Sequence, residues 1–283
     1  MKKRQWLLLV LMAASLVVLI GYRMWDSSAK DSESPNITIE SGLLEVSTHD
    51  PESVLLQGVS ARDSRDGDVT DSVVIESIGG ITGDHQVTVT YAAFDKAGNV
   101  AKMSRVIRYT DYIAPRFALD APLAFAYGSS FDIMDHVGAQ DERDGDITHR
   151  VKATSLSSAP ISDPGVYDIR LQVTNSLGDT EILTLQAEVY PAGNYNSQLT
   201  LTDYLIYLPQ GSAFDAKDYL DTFSYSINST DLSRGVPNDY HLTVSGKVDT
   251  ALPGVYEVEY TLSFTQGYQI YTAYSELVVV VEG

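Results

Sequence analysis

An acidic stretch of eight residues occurs twice in this chain, and its carboxylates are the side chains whose types and spacing best suit chemistry. The copies run from residue 63 to 70 and from 141 to 148, and six of their eight positions are identical. Carboxylates clustered around a glycine supply the hard oxygen ligands that calcium prefers. The pattern predicts two calcium sites, each completed by a carboxylate from a stem or linker. The candidate ligands are Asp63, Asp66, Asp68, Asp141, Asp144 and Asp146.

The same two stretches also fit a purely structural role. Their spacing differs from that of an EF-hand loop, which needs aspartates at alternating positions before the glycine and a closing glutamate. The Asp-Gly pairs at 66–67 and 144–145 suit tight turns, and the first aspartate of each copy can accept hydrogen bonds from nearby amides. Turn and calcium site therefore remain open alternatives, and no other cofactor is expected.

Signatures of enzymatic chemistry are absent from the sequence. It has no cysteine, no Gly-x-Ser-x-Gly elbow, no His-Glu-x-x-His motif and no phosphate-binding loop. The five histidines are scattered without metal-ligand spacing, at His49, His85, His136, His149 and His241. We expect the protein not to be an enzyme.

The segments around the acidic stretches are predicted to be β-strands, which would position the carboxylates. In residues 87–91, Val87, Val89 and Tyr91 alternate with threonines, as in a half-buried antiparallel strand. The Asp95 to Asn99 segment that follows predicts a hairpin turn, and strands are also expected at 54–61 and 100–109. A repeat of near 80 residues indicates small domains in tandem.

A third, divergent copy follows the two acidic ones. Residues 210–218 align with 127–135, and the sequence Pro-Gly-Val-Tyr occurs at both 164–167 and 253–256. We therefore predict an all-β chain of three tandem β-sandwich domains. The predicted boundaries are 36–111 for domain 1, 112–190 for domain 2, 191–198 for a linker and 199–283 for a Tyr-rich domain 3.

The first 25 residues predict a membrane anchor. Three basic residues at 2–4 precede an uncharged run from 6 to 22, which is at the short end of a membrane-spanning helix and longer than a usual signal-peptide core. The positive flank keeps the amino terminus inside. We expect a signal-anchor helix over 1–25, a disordered stem over 26–35 and an extracellular remainder; the alternative is a secreted protein released by cleavage.

The exported part is strongly acidic. Four of the 19 basic residues and none of the 38 acidic ones precede residue 26, which leaves 15 against 38, a net charge of −23. Such a field repels nucleic acid, so no nucleic-acid partner is expected. Because the chain lacks cysteine, no disulfide stabilises its domains.

The residues from the first acidic stretch to Pro115 resemble a known family. The order Asp-x-x-Asp-Gly-Asp-Val-Thr, then Val89 to Ala101, then a strand closing on Asp-x-x-Ala-Pro is similar to the bacterial Ig-like repeats. Such repeats occur in Gram-positive surface proteins and in some insecticidal crystal proteins. In the second copy Asn175 stands where the first has Asp95. The resemblance implies Ig-like β-sandwich domains and a spacer, adhesive or ligand-presenting role, and it implies no activity.

Tyrosines suggest where a ligand would bind. More than half of the 18 tyrosines lie in the third domain, and aromatic faces beside carboxylates suit sugar rings or protein partners. Alternation places Tyr256 and Tyr260 in the core, while the candidate binding surface is Tyr225, Tyr240 and Tyr271. We expect a bacterial cell-surface spacer and adhesive or ligand-binding module, whose partner is a protein or a glycan. The alternatives are an envelope sensor or assembly factor and a carbohydrate-binding module.

Overall fold

The computed structural model describes residues 11–22, 31–130, 132–156, 163–193, 195–227, 230–235 and 241–283. Apart from one α-helix over 11–22, its regular structure consists of strands and short 3-10 helices. The chain forms two compact units, Met1–Tyr112 and Ile113–Gly283. The 3-10 helices are Glu52–Leu56, Thr70–Ser72, Gly83–His85, Ile133–Asp135, Thr148–Arg150 and Ala216–Tyr219.

The first unit holds a pair of sheets. Its strands are β1 (Asn36–Ile39), β2 (Leu44–Val46), β3 (Val59–Asp63), β4 (Gly67–Asp68), β5 (Val74–Ile78), β6 (Gln86–Phe94) and β7 (Val100–Tyr109). One sheet has the order β1-β3-β4 and the other the order β2-β7-β6-β5. β2 pairs with β7 in parallel. Val87, Val89 and Tyr91 are at most 1% exposed, so the alternation predicted in β6 is confirmed.

One predicted strand of this unit is wrong. The extended run expected over 54–61 is instead the 3-10 helix Glu52–Leu56 followed by β3, which starts at Val59. Gly58 separates them with φ of +70°, a left-handed conformation that a strand cannot continue through. A Cβ at Gly58 would lie 3.0 Å from Glu40 Oε2. The glycine therefore both ends the helical turn and allows the close approach of Glu40.

The second unit holds two further pairs of sheets. The strands of the first pair are β8 (Arg116–Leu119), β9 (Ala124–Ala126), β10 (Val137–Asp141), β11 (Gly145–Asp146), β12 (Lys152–Ser155), β13 (Gly165–Thr174) and β14 (Thr180–Tyr190). Those of the second pair are β15 (Ser197–Leu201), β16 (Leu205–Pro209), β17 (Leu220–Ile227), β18 (Thr230–Gly235), β19 (His241–Ser245), β20 (Gly254–Gln266) and β21 (Gln269–Glu282). Both pairs repeat the strand order of the first unit, including the parallel pairings β9 with β14 and β16 with β21.

The two sheet pairs of the second unit are packed on each other. Val278 of β21 belongs to the same buried cluster as Ile169 and Leu171 of β13. Arg116 donates to both carboxylate oxygens of Glu282, at 2.6 and 2.7 Å. These contacts explain why residues 113–283 form one compact unit although their sequence predicts two domains. The predicted boundary after residue 111 lies within one residue of the division between the units.

The amino-terminal segment is described only in part. Residues 1–10 and 23–30 lie outside the described residues, and with them about half of the predicted signal-anchor segment and half of the predicted stem. Every residue of the helix over 11–22 is exposed. Within the described part of the chain, no helix has the length and hydropathy needed to cross a membrane.

Candidate functional site

Both acidic stretches form the same turn, between β3 and β4 and between β10 and β11. Asp63 Oδ1 accepts hydrogen bonds from the backbone amides of Arg65, at 2.7 Å, and Asp66, at 2.9 Å. Asp141 Oδ1 accepts the equivalent bonds from Arg143, at 3.0 Å, and Asp144, at 2.8 Å. The glycines that follow, at 67 and 145, have φ of +78° and +71°. The first aspartate of each copy therefore organises its own turn.

The remaining acidic residues of the first stretch bind neighbouring backbone. Asp66 Oδ2 accepts from the amide of Lys96 at 2.8 Å, which ties the turn to the β6-β7 hairpin. Asp68 Oδ1 accepts from the amide of Thr70 at 3.0 Å. The hydrogen bonds from Thr70 lower the pKa of Asp68, so its carboxylate stays charged at neutral pH.

The second stretch is used in the same way. Asp144 accepts from the amide and hydroxyl of Ser176, at 2.7 and 2.6 Å, and from Arg150, at 2.9 Å. Asp146 Oδ1 accepts from the amide of Thr148 at 2.9 Å. Among the described residues, neither predicted trio brings its ligand oxygens close together. The structure therefore does not bring either predicted ligand set together, and the later aspartates of each set accept hydrogen bonds from local backbone and side-chain donors.

A different trio of carboxylates does converge in the first unit. Asp31, Asp63 and Asp95 each offer an oxygen within 4.8 Å of the others. Asp63 is 3% exposed, Asp95 is 8% exposed and the side chain of Asp31 is 10% exposed. Among the described residues, Asp63 Oδ2 has no hydrogen-bond partner. The structure thus keeps one predicted ligand, Asp63, and adds one carboxylate from the predicted stem and one from a hairpin.

Hydrogen bonds keep the buried members of this trio ionised. Bonds from the backbone amides of Asp66 and Arg65 lower the pKa of Asp63. Burial acts to raise the pKa of Asp95, but the bonds from Asn99 outweigh it and the net shift is downward. Those bonds run from Asn99 N to Oδ1, at 2.8 Å, and from Asn99 Nδ2 to Oδ2, at 2.7 Å. The negatively charged carboxylates of Asp63 and Asp95 therefore lie close together in the protein interior.

In the second copy, a side-chain amide takes the place of the second buried carboxylate. Asn175, at the position of Asp95, donates from Nδ2 to Asp141 Oδ2 at 2.9 Å. Its own Oδ1 accepts from the amides of Leu177, at 3.0 Å, and Asp179, at 2.9 Å. Both oxygens of Asp141 are thereby paired, whereas one oxygen of Asp63 has no partner among the described residues.

The tyrosines predicted to form a binding surface do not do so. Tyr225 is 7% exposed and Tyr271 is 8% exposed. Their ring centroids lie 5.1 Å apart, and both pack against Phe264. The prediction for these two is corrected: they are core residues. Tyr240 lies outside the described residues. Tyr260 is fully buried, as predicted.

Other tyrosines line a cleft in the second unit. The cleft measures about 760 Å³ and lies between residues 118–125 and residues 195–205. Tyr195 packs edge-on against Tyr190, at 4.7 Å between centroids, and stacks with Tyr274 at 5.4 Å. The polar residues at the cleft include Asp120, His136 and Asp203. His136 Nδ1 lies 2.9 Å from Asp120 Oδ1.

A buried carboxyl group is bonded to one tyrosine of this cleft. The hydroxyl of Tyr274 donates to Glu276 Oε2 at 3.1 Å. Glu276 is 8% exposed. Burial, followed by the nearby charge of Glu257, raises the pKa of Glu276 to about 7. Glu276 is therefore partly protonated near neutral pH.

Sequence reasoning expected a stem carboxylate without naming Asp31, and it missed Asp95 and the tyrosines of the cleft. For Asp95 a signal was present, since the exchange of Asp for Asn between the two copies marks a change in charge at one position. No local pattern marks Tyr190, Tyr195 and Tyr274, because they meet through the packing of different sheets.

Comparisons with known proteins give weak similarities. The chain matches no protein-family model and no curated protein. It is similar to a structure of two parts of Clostridium perfringens ZmpB, the CBM51-2 domain in complex with GlcNAc and the INT domains. The sequence identity is 16% and the TM-score is 0.23, and the match covers 88% of this chain and 41% of that one. The chain is also similar to Drosophila N-cadherin EC1-4, at 14% identity and a TM-score of 0.23 over 90% of this chain and 76% of that one.

A third similarity is to the lipoprotein BT2262 from Bacteroides thetaiotaomicron, at 12% identity and a TM-score of 0.22 over 58% of this chain and 98% of that one. The chain spans about two fifths of the length of the ZmpB chain. At these TM-scores the similarities assign no ligand and no function to the chain.

Proposed function

We propose that this chain is a surface-displayed binding protein built from three Ig-like sandwiches, and that it binds a carbohydrate in the cleft of its second unit. The observation that carries the proposal is the cleft of about 760 Å³ with Tyr190, Tyr195 and Tyr274 at its wall. Its size lies within the range of about 300–1,000 Å³ that is usual for small-molecule sites. The protein acts by binding and presentation, without catalysis.

The lining of the cleft suits a sugar. Aromatic faces pack against the apolar face of a sugar ring, and polar groups around them exchange hydrogen bonds with its hydroxyls. Asp120, His136 and Asp203 supply such groups. A second cavity of about 780 Å³ is bordered by residues 126–134. Because its lining has one tyrosine and no stacked pair, the first cleft is the better candidate.

The remaining parts of the chain support display at a cell surface. The uncharged run over residues 6–22 is proposed to anchor the chain in a bacterial membrane with the sandwiches outside. In its described part, over 11–22, large apolar side chains including Leu16, Val17 and Val18 are more than half exposed. An apolar helix whose side chains are exposed among the described residues suits a lipid environment. The first unit then serves as a spacer.

The proposal predicts that full-length protein binds glycans through the tyrosine cleft. We would probe an array of bacterial and host glycans with the wild type, Tyr195→Ala and Tyr268→Ala. Loss of one stacking ring should weaken binding on the order of tenfold, since stacking contributes about 1 kcal/mol or more. Tyr268 is fully exposed in the β20-β21 turn, so its variant is the matched control and should bind as the wild type does.

Two results would contradict the proposal. Wild-type protein that binds no glycan on the array would remove the carbohydrate function. Equal binding by wild type and Tyr195→Ala would remove the cleft as the site. Fractionation of cells that express the full chain tests the anchor separately, because recovery of the protein in the medium with a shortened amino terminus would show cleavage.

A further inference from the structure

We propose that the first unit binds a calcium ion through Asp31, Asp63 and Asp95. The decisive observation is the orphaned oxygen of Asp63: the residue is 3% exposed, and its Oδ2 has no hydrogen-bond partner among the described residues. A buried, unpaired carboxylate oxygen destabilises a fold in general unless a cation or a donor compensates it. This inference does not depend on the proposed function.

The described surroundings of Asp63 supply further negative charge and no donor for this oxygen. Asp31 and Asp95 each bring a carboxylate oxygen within 4.8 Å of one of the two carboxylate oxygens of Asp63. Arg65 is beside the trio, with Nε 3.8 Å from Asp31 Oδ2, but its side chain is half exposed. One partly solvated guanidinium does not neutralise three carboxylates, two of which are buried. A divalent cation between them removes the repulsion and satisfies Asp63 Oδ2 at once.

The second copy of the turn is an internal comparison for this assignment. There the residue opposite the buried aspartate is Asn175, whose Nδ2 donates to Asp141 Oδ2 at 2.9 Å. The two turns otherwise share their backbone bonds. In the second copy the Asn175 amide is the hydrogen-bond donor to Asp141 Oδ2. In the first copy Asp95 cannot donate to Asp63 Oδ2, and a cation would compensate that oxygen instead.

The ligand chemistry favours calcium. The trio offers only oxygen atoms, and hard oxygen donors bind calcium or magnesium rather than zinc or copper. Asn99, which positions Asp95, also donates from Nδ2 to the carbonyl oxygen of Asp31 at 3.3 Å. Three converging carboxylates suit the flexible coordination of calcium, while magnesium requires near-ideal octahedral geometry.

Binding would fasten the predicted stem to the first sandwich. Asp31 lies ahead of β1, Asp63 ends β3 and Asp95 follows β6. The adjoining residue Glu33 accepts a hydrogen bond from Ser64 Oγ at 2.8 Å, and Pro35 is buried. Asp31 and Pro35 of the predicted stem are therefore largely buried while residues 32–34 are exposed, and the ion would stabilise the contact of Asp31 with the sandwich.

The test is calcium binding to the full-length chain. Protein stripped with a chelator is titrated with calcium, and with magnesium as a second probe, by calorimetry and by thermal unfolding. We expect one calcium per chain, weaker magnesium binding, and a midpoint rise for the first unit of roughly 10–20 °C at about 100 times Kd. Asp31→Asn should weaken calcium binding on the order of 100-fold, because ligand charge sets affinity.

Asp95→Asn gives a second and sharper prediction, since it copies the second turn. It should abolish the calcium response and raise the midpoint of the calcium-free protein. Asp68→Asn, which removes a charge from the acidic stretch but keeps an acceptor for Thr70, is the matched control and should bind calcium normally. The proposal is overturned by absence of calcium binding to wild type at about 10 mM, above the range of extracellular sites, or by equal calcium affinity in wild type, Asp31→Asn and Asp95→Asn.

Discussion

Replacing Asp141 by alanine is expected to destabilise the second unit by about 3–5 kcal/mol. The carboxylate is 6% exposed and accepts bonds from the amides of Arg143 and Asp144 and from Asn175 Nδ2. Truncation leaves all three donors without their acceptor in a site that is largely buried. Urea unfolding of the full chain, followed by tyrosine fluorescence, measures the change.

The equivalent change in the first copy is the comparison. Asp63→Ala also removes two backbone bonds, but it relieves repulsion with Asp31 and Asp95. In the presence of a chelator we therefore expect a loss of only about 1–2 kcal/mol. If, without calcium, Asp63→Ala lowered the free energy of unfolding more than Asp141→Ala does, then repulsion among Asp31, Asp63 and Asp95 would not be a feature of the first turn.

Replacing Glu276 by glutamine is expected to stabilise the second unit by about 2–3 kcal/mol at pH 8. Burial, with the charge of Glu257 next, raises the pKa of Glu276 to about 7 from an ordinary value of 4.5. A raised carboxyl pKa means that the folded state holds its proton more tightly than the unfolded state does. Each tenfold difference in proton affinity between the two states corresponds to about 1.4 kcal/mol. Glutamine keeps an acceptor for the Tyr274 hydroxyl and removes the charge.

The stabilisation by Glu276→Gln is expected to depend on pH. The stability that the protonated group contributes is fully present below about pH 4.5 and is lost as the pH rises through about 7. The variant should therefore match the wild type near pH 4.5 and exceed it at pH 8. Glu259→Gln changes an exposed neighbour and should alter stability by no more than about 0.5 kcal/mol. A Glu276→Gln effect of equal size at both pH values would contradict the assignment.

Local patterns in the sequence predict the strands and turns of this fold well. The alternation through Tyr91 gives β6 and its buried face, and the Asp95 to Asn99 segment gives the hairpin, in which the amide of Asp95 donates to Asn99 O at 3.2 Å. The failure at 54–61 has a local cause, because a positive φ at Gly58 interrupts a run of strand-forming residues. Side-chain preference alone does not reveal that interruption.

The sites are less predictable, since they depend on contacts between distant segments. Asp31 and Asp95 are far apart in the chain and meet only because β1, β3 and the β6-β7 hairpin pack together. The sequence predicts Tyr225 as a surface residue, yet its ring stacks with that of Phe223 at 5.4 Å between centroids. The sequence identifies the residue types, and the sheet packing decides which become ligands, core or cleft.

The proposed function depends above all on ligand binding by the second unit between residues 118–125 and residues 195–205. The most direct test is hydrogen exchange of the full-length chain with and without the glycan that binds best on the array. We predict slower exchange in both segments and unchanged exchange in the first unit. Protection confined to the first unit, or to strands away from the cleft, would contradict binding at this cleft.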